Sequence, residues 1–167
     1  MSAKTFFHSR QNLLYFLTIA VPFSFVTWTA LINNFAIEKA HFNGEQIGLL
    51  QSIREVPGLL AFTIVFVLLI FKQQTASYLS LFLLGFGTLL TGFFPTALGL
   101  YTTTLIMSIG FHYLETLYNS LSLQWIPKQN APSFFGKLSS IRSFTSLGIL
   151  GLLYVLMQFL HLPYKLI

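Results

Sequence analysis

The chain has 167 residues, of which 54% are hydrophobic and only 8% charged, against about 25% charged residues in an ordinary soluble domain. Nineteen phenylalanines are more than one small soluble core can hide, so the composition favours a membrane protein. The net charge of +5 comes from nine basic residues scattered along the chain, which excludes the clustered charge of a nucleic-acid-binding protein, and the absence of cysteine excludes disulfides and thiolate chemistry.

Five apolar segments are long enough to cross a membrane, because a span needs about 20 mostly apolar residues. In chain order they cover residues 12–37, 45–71, 76–94, 97–125 and 135–160. Pro22 predicts a kink in the first span, and Asn43 with Gln46 predicts a capping box at the start of the second. We therefore predict an all-α fold, a single polytopic bundle of about five transmembrane helices over residues 1–167.

The basic residues predict how this bundle is oriented in the membrane. With the N-terminus in the cytoplasm, the segments on that side hold most of the lysines and arginines. The cytoplasmic set is Lys4, Arg10, Lys72, Lys128, Lys137 and Arg142, and the outer set is Lys39 and Lys165. Five spans then leave the C-terminus outside, so we expect the chain to be an incomplete half of a larger bundle.

The second span contains an arginine and a glutamate as neighbours. One of its faces carries small and polar residues: Gly44, Gly48, Gln51, Glu55 and Gly58. Arg54 lies about 100° from Glu55 around the helix, which predicts that each side chain finds its partner on another helix or in water. Pro57 is expected to bend the helix and to free backbone acceptors beside the pair. Alternatively, Arg54 extends to the membrane surface and only anchors the helix.

The fourth span carries a longer polar stripe within one helical sector: Tyr101, Thr104, Ser108, His112, Glu115, Asn119 and Ser122. Such a stripe indicates either a water-filled cavity or polar groups that bond across a packed helix interface. A carboxylate at membrane depth can load and release protons, which makes Glu115 the strongest candidate for function. His112, one turn earlier, either shares that proton, binds substrate, or is a structural hydrogen-bonding group.

Helix geometry predicts which charges meet. Counted from the cytoplasmic helix ends, Glu115 lies about 16 Å deep and Arg142 about 10 Å, whereas Arg54 and Glu115 differ by about two turns when counted from the outer ends. We therefore predict that Glu115 pairs with Arg142, and that freed backbone or polar groups of the first span satisfy Arg54. Arg142 could instead be a cytoplasmic anchor.

The remaining polar residues are harder to assign. The first span has two polar faces, one with Ser24, Thr27 and Asn34 and the other with Tyr15, Thr18, Thr29 and Asn33. Periodicity alone does not decide which face lines a cavity. In the third span, Gly85, Thr88 and Gly92 predict close helix packing.

Two stretches resemble the major facilitator superfamily of transporters. "EQIGLLQSIREVPGLL" is similar to the start of that family's second span, and "PKQNAPSFFGKLSSIRS" is similar to its inner loop before the fifth span. The resemblance implies the N-terminal half of a twelve-span transporter, with the first and fourth helices lining the substrate cavity. It implies that Asn119, Glu115 and His112, with Asn34 or Asn33, contact the substrate or a coupling proton.

The expected function is thus secondary transport of a small solute, ion- or proton-coupled, in the cell membrane. We predict no enzymatic activity, metal or cofactor, because no metal-ligand cluster, phosphate loop or nucleophile elbow is present. The expected partners are the lipid bilayer, a small-molecule substrate, and a missing C-terminal half or a second copy. The candidate substrate- or proton-binding residues are His112, Glu115, Asn119, Arg54, Glu55, Gln51, Asn34 and Arg142. The alternative is a multi-pass protein without transport activity, such as an assembly subunit or a truncated gene product.

Overall fold

The computed structural model describes residues 10–159 and Tyr164, and these residues are almost entirely helical. Six α-helices follow in order: α1 (Arg10–Ala40), α2 (Gly44–Leu59), α3 (Ile64–Leu68), α4 (Gln73–Thr91), α5 (Ala97–Trp125) and α6 (Ala131–Gln158). A 3₁₀ turn, Ala61–Thr63, joins α2 to α3. The all-α fold class is confirmed, and each predicted span corresponds to one helix except the second, which is divided between α2 and α3. Lys4 and Lys165, used above for orientation, lie outside the described residues.

Two of these helices, α1 and α6, are long and apolar enough to cross a membrane. The bent pair formed by α2 and the segment Ala61–Leu68 makes a third if it counts as one span. The α5 helix is also long, with 29 residues, but it is not among the helices that meet both criteria. The fold is a helical bundle with membrane-spanning character.

The local sequence explains where the α2 helix begins and ends. The Asn43 side chain accepts a hydrogen bond from the Gln46 backbone N–H (2.9 Å), and the Gln46 side chain accepts one from the Asn43 N–H (3.0 Å), so the predicted capping box is confirmed. The bend expected from Pro57 is also confirmed, because the chain direction turns by 42° between α2 and the next helical segment. The break falls at Leu60, just after the proline.

The closest helix contact in the described bundle is between α4 and α5, and two glycines make it possible. A Cβ atom at Gly87 would lie 2.5 Å from the Met107 nitrogen, and one at Gly110 would lie 2.4 Å from the Leu84 nitrogen. Both distances are far shorter than van der Waals contact with backbone allows. The third span therefore packs closely, as predicted. However, the tightest contact is at Gly87, which lies on the side of α4 opposite to Gly85.

The other helices are arranged around α1 and α5. The α6 helix packs mainly on α1, α2 packs mainly on α5, and α1 also contacts α4 and α5. Fully buried leucines fill the centre, among them Leu14, Leu17, Leu84 and Leu114. This order leaves α1 and α5 in the middle of one side of the bundle, with α2 and α6 flanking them.

Candidate functional site

The predicted ion pair between α5 and α6 is confirmed. The Arg142 Nη1 atom lies 3.0 Å from the Glu115 Oε1 atom, and the two side chains are 38% and 29% exposed. The pairing follows from where α6 begins. Because α6 starts at Ala131 rather than at residue 135, Arg142 lies about 16 Å along its helix, level with Glu115.

A tyrosine extends this pair to the first helix. The Arg142 guanidinium lies over the Tyr118 ring, 5.4 Å from its centroid. The Tyr118 hydroxyl lies 2.7 Å from the Thr18 hydroxyl oxygen, and Thr18 donates its own hydrogen to the Leu14 carbonyl at 2.8 Å. Since Thr18 has only one hydrogen to donate, Tyr118 is the donor between them. Helical periodicity did not single out Tyr118, although it lies three residues from Glu115 on a neighbouring face.

The prediction for Arg54 and Glu55 is wrong. The Arg54 Nε and Nη2 atoms lie 2.9 and 2.5 Å from the Glu55 Oε1 atom, so these sequence neighbours pair with each other. The long arginine side chain curls around the helix and covers the 100° that separates the two residues. Among the described residues, polar groups of α1 and freed backbone acceptors do not bind the Arg54 side chain, contrary to the prediction. Instead, the Ser108 hydroxyl of α5 donates to the Arg54 backbone carbonyl.

Two further contacts join α2 to its neighbours. The His112 imidazole packs against Gly58, where an added Cβ atom would lie 2.8 Å from the ring. The Gln51 side chain donates to the side-chain oxygen Oδ1 of Asn33 on α1 at 3.0 Å. Of the two asparagines considered for the site, Asn33 is therefore joined to it, and Asn34 lies exposed on the other polar face of α1.

The polar stripe of α5 has two environments. Thr104, Ser108 and Ser122 are fully buried, so the prediction of a cavity-facing stripe is wrong for them. Of the three, Ser108 bonds across the packed interface, to the Arg54 backbone carbonyl of α2. The buried Thr104 and Ser122 hydroxyls have no hydrogen-bond partner among the described residues. The other four members of the stripe retain access to the outside: Tyr101, His112 and Glu115 partly, and Asn119 openly.

Contacts between helices and helix spacing connect the accessible polar residues of α2, α5 and α6. Gly58, one turn from Glu55 on α2, contacts His112, which is one turn from Glu115 on α5, and Glu115 reaches Arg142 on α6. We call this surface the central polar face, and its residues are Gln51, Arg54, Glu55, His112, Glu115, Asn119 and Arg142. It carries two positive and two negative formal charges, because it holds two arginines and two glutamates.

A separate cavity of about 350 Å³ lies between α1 and α4. Its wall includes Ser24 and Thr27 of α1 and Gly85, Thr88 and Gly92 of α4. The two polar faces of α1 therefore have different neighbours. The face with Ser24 and Thr27 lines this cavity, and the face with Thr18 and Asn33 meets α5 and α2. Among the described residues that line this cavity, none is charged and none is a predicted site residue.

The charged and polar groups of the central polar face can bind ions, protons and polar solutes. Among residues 10–159 and Tyr164, no three His, Asp or Glu residues are close enough to bind a metal ion together. Comparison with known proteins gave no match to any family model, curated protein or solved structure.

Proposed function

We propose that the chain is the N-terminal part of a secondary transporter that resembles the major facilitator superfamily and moves a small solute across the cell membrane with ion or proton coupling. The observation that carries the proposal is the Glu115–Arg142 pair, held halfway along two long helices with both side chains still accessible. Ionisable residues at membrane depth are rare and mark ion and substrate pathways.

In this proposal the chain crosses the membrane five times, with α2 and α3 together forming the second span. The N-terminus and the loop before α6 lie in the cytoplasm, and the α1–α2 turn lies outside. Because the chain has no native cysteine, single cysteines can test this orientation. An impermeant thiol reagent on sealed cells should label His41→Cys and spare Gln129→Cys, and the opposite pattern would invert the orientation.

Each residue of the site has a distinct role in the proposal. Glu115 exchanges the coupling proton, and Arg142 forms an ion pair with it until a conformational change or substrate separates the two. Tyr118 and Thr18 hold Arg142 and α5 in register with α1. His112, Asn119 and Gln51 present hydrogen-bonding groups on the same face, where a polar solute could bind.

Carbodiimide labelling tests the proton role without knowledge of the substrate, because the reagent reacts with the protonated carboxyl group. Mass spectrometry of the labelled chain in lipid vesicles should show modification of Glu115 that increases as pH falls. Arg142→Gln should increase it at a given pH, and modification of Glu55 serves as the internal control. A yield at Glu115 that is unchanged by Arg142→Gln would contradict the proposed role of the pair.

A second candidate function is that of a membrane interaction subunit without transport activity. The observation that favours it is the open surface of α6, where a Cβ atom added at Gly136, Gly148 or Gly151 would meet nothing within 4 Å. Small residues on an open face suit close packing against a partner helix. Gly148→Leu should then abolish association with a partner and leave the chemistry of Glu115 unchanged.

A further inference from the structure

The central polar face needs a cover other than lipid. The Glu55 side chain is 57% exposed, and Arg142 and Glu115 are 38% and 29% exposed. Counted along α2, Glu55 lies about 17 Å from the helix start, which is near the middle of a bilayer. Charged groups at that depth face protein or a water-filled cavity.

The charges of this face make it complementary to itself. Arg54 and Arg142 balance Glu55 and Glu115, so the face carries both signs and no net charge. A face of one sign would repel its own copy, but a balanced face can place each positive group against a negative one. Self-complementarity of this kind is what a twofold interface between identical chains requires.

Membrane insertion fixes how two copies can meet. Both copies have the same orientation, because the same basic residues set it. A twofold axis must then run along the membrane normal, and equivalent residues of the two copies lie at equal depth. Arg54 and Glu55 differ by only about 1.5 Å in depth, so Arg54 of one copy is level with Glu55 of the other. Glu115 and Arg142, already 3.0 Å apart, satisfy the same condition.

We infer that a second copy of this chain covers the central polar face, across a twofold axis along the membrane normal, with Arg54 of each copy facing Glu55 of the other. The site is then completed by its partner and lined by both polar faces. Two glycines on the Glu55 side of α2 permit the approach, since Gly44 and Gly48 have open space around them. The inference rests on the proposed function in one respect, that this face is buried within the membrane.

Charge reversal tests the interface directly. Chains labelled with donor or acceptor dye at Gln129→Cys, in phosphatidylcholine vesicles at low protein density, should show energy transfer. Arg54→Glu alone and Glu55→Arg alone should each weaken association by about tenfold or more, because each places like charges together across the axis. A mixture of donor-labelled Arg54→Glu and acceptor-labelled Glu55→Arg chains should recover the transfer. The double variant Arg54→Glu/Glu55→Arg, which keeps the pair within α2, should recover it as well.

Three results would overturn the inference: no energy transfer by the otherwise unmodified chain, undiminished transfer in both single variants, or no recovery in the mixture. If the charge variants fail to fold, disulfide formation by Gly48→Cys replaces them, with Phe82→Cys on α4 as the control. Cross-linking only at Gly48→Cys supports the inference, and equal cross-linking at both positions contradicts it. The chain could also prove monomeric while carbodiimide labelling of Glu115 still responds to Arg142→Gln. That result would contradict the inferred second copy and support the proposed function.

Discussion

The α4–α5 interface and the central polar face both contain polar groups, but these groups differ in their burial and in their bonding partners. At the interface, hydroxyls are buried and bond mostly within their own helix, as when Thr91 donates to the Gly87 carbonyl at 2.8 Å. On the central polar face, the Glu115–Arg142 pair joins two helices, and the charged side chains stay accessible. The comparison shows that a polar residue in such a helix has a structural role where the helices touch and a candidate chemical role where they separate.

The largest effect on stability is expected for a substitution that disrupts the α4–α5 interface. Gly110→Ala should lower the free energy of unfolding by about 3 kcal/mol, because its Cβ atom would be forced into the backbone of α4. Unfolding in detergent, followed by circular dichroism, measures this change.

The matched control is Gly148→Ala on the open side of α6, which should raise the free energy of unfolding by about 0.5 kcal/mol through helix propensity alone. Equal effects of the two substitutions would show that α4 and α5 do not approach so closely.

A smaller effect is expected for the ion pair. A double-mutant cycle with Glu115→Ala and Arg142→Ala should give a coupling energy of about 1 kcal/mol, above that of a typical surface pair because both side chains are partly buried. The same cycle with Glu55→Ala in place of Glu115→Ala should give a coupling near zero. Coupling of Arg142 to Glu55 instead would show that the central polar face is organised differently.

The hydrogen bond from Tyr118 to Thr18 should contribute somewhat less. Tyr118→Phe should lower the free energy of unfolding by about 0.5–1 kcal/mol, since Thr18 keeps its bond to the Leu14 carbonyl. In a chain that already carries Thr18→Val, the same substitution should have a smaller effect. If the effect is undiminished, the hydroxyl of Tyr118 bonds to another group.

The smallest effect on stability is expected for Arg54→Gln. Its partner Glu55 is the most exposed charged group of the central polar face, and exposed pairs contribute about 0–1 kcal/mol. Thermal unfolding in detergent, under conditions that keep the chain monomeric, should show almost no change. A loss as large as that of Gly110→Ala would mean that this pair belongs to the fold and not to the site.

Helix rise and periodicity predicted those features that depend on one helix at a time. The bounds of α5, the capping box at Asn43 and the bend after Pro57 follow from local sequence. The Glu115–Arg142 pair was predictable because depth along two helices restricts which charges can meet.

Features that depend on how helices cross were not predictable in this way. Gly87 and Gly110 resemble other glycines in the sequence, and only the crossing of α4 and α5 distinguishes them. The pairing of Arg54 with Glu55 depends on the rotamer of a long side chain, which angular position on a helix does not determine. Periodicity also does not distinguish Thr104 and Ser108 from the accessible members of their stripe, although neighbouring helices bury them.

The central claim is that the central polar face opens to water within the membrane, and two neighbouring positions on α6 test it most directly. Ser143 and Phe144 are both exposed and both about 18–20 Å from the start of the helix, but Ser143 lies about 100° around the helix from Arg142 and Phe144 about 160° from it. In sealed vesicles, a water-soluble thiol reagent that is too polar to enter lipid should label Ser143→Cys rapidly and Phe144→Cys hardly at all. Equal labelling of the two positions, or faster labelling of Phe144→Cys, would contradict the account.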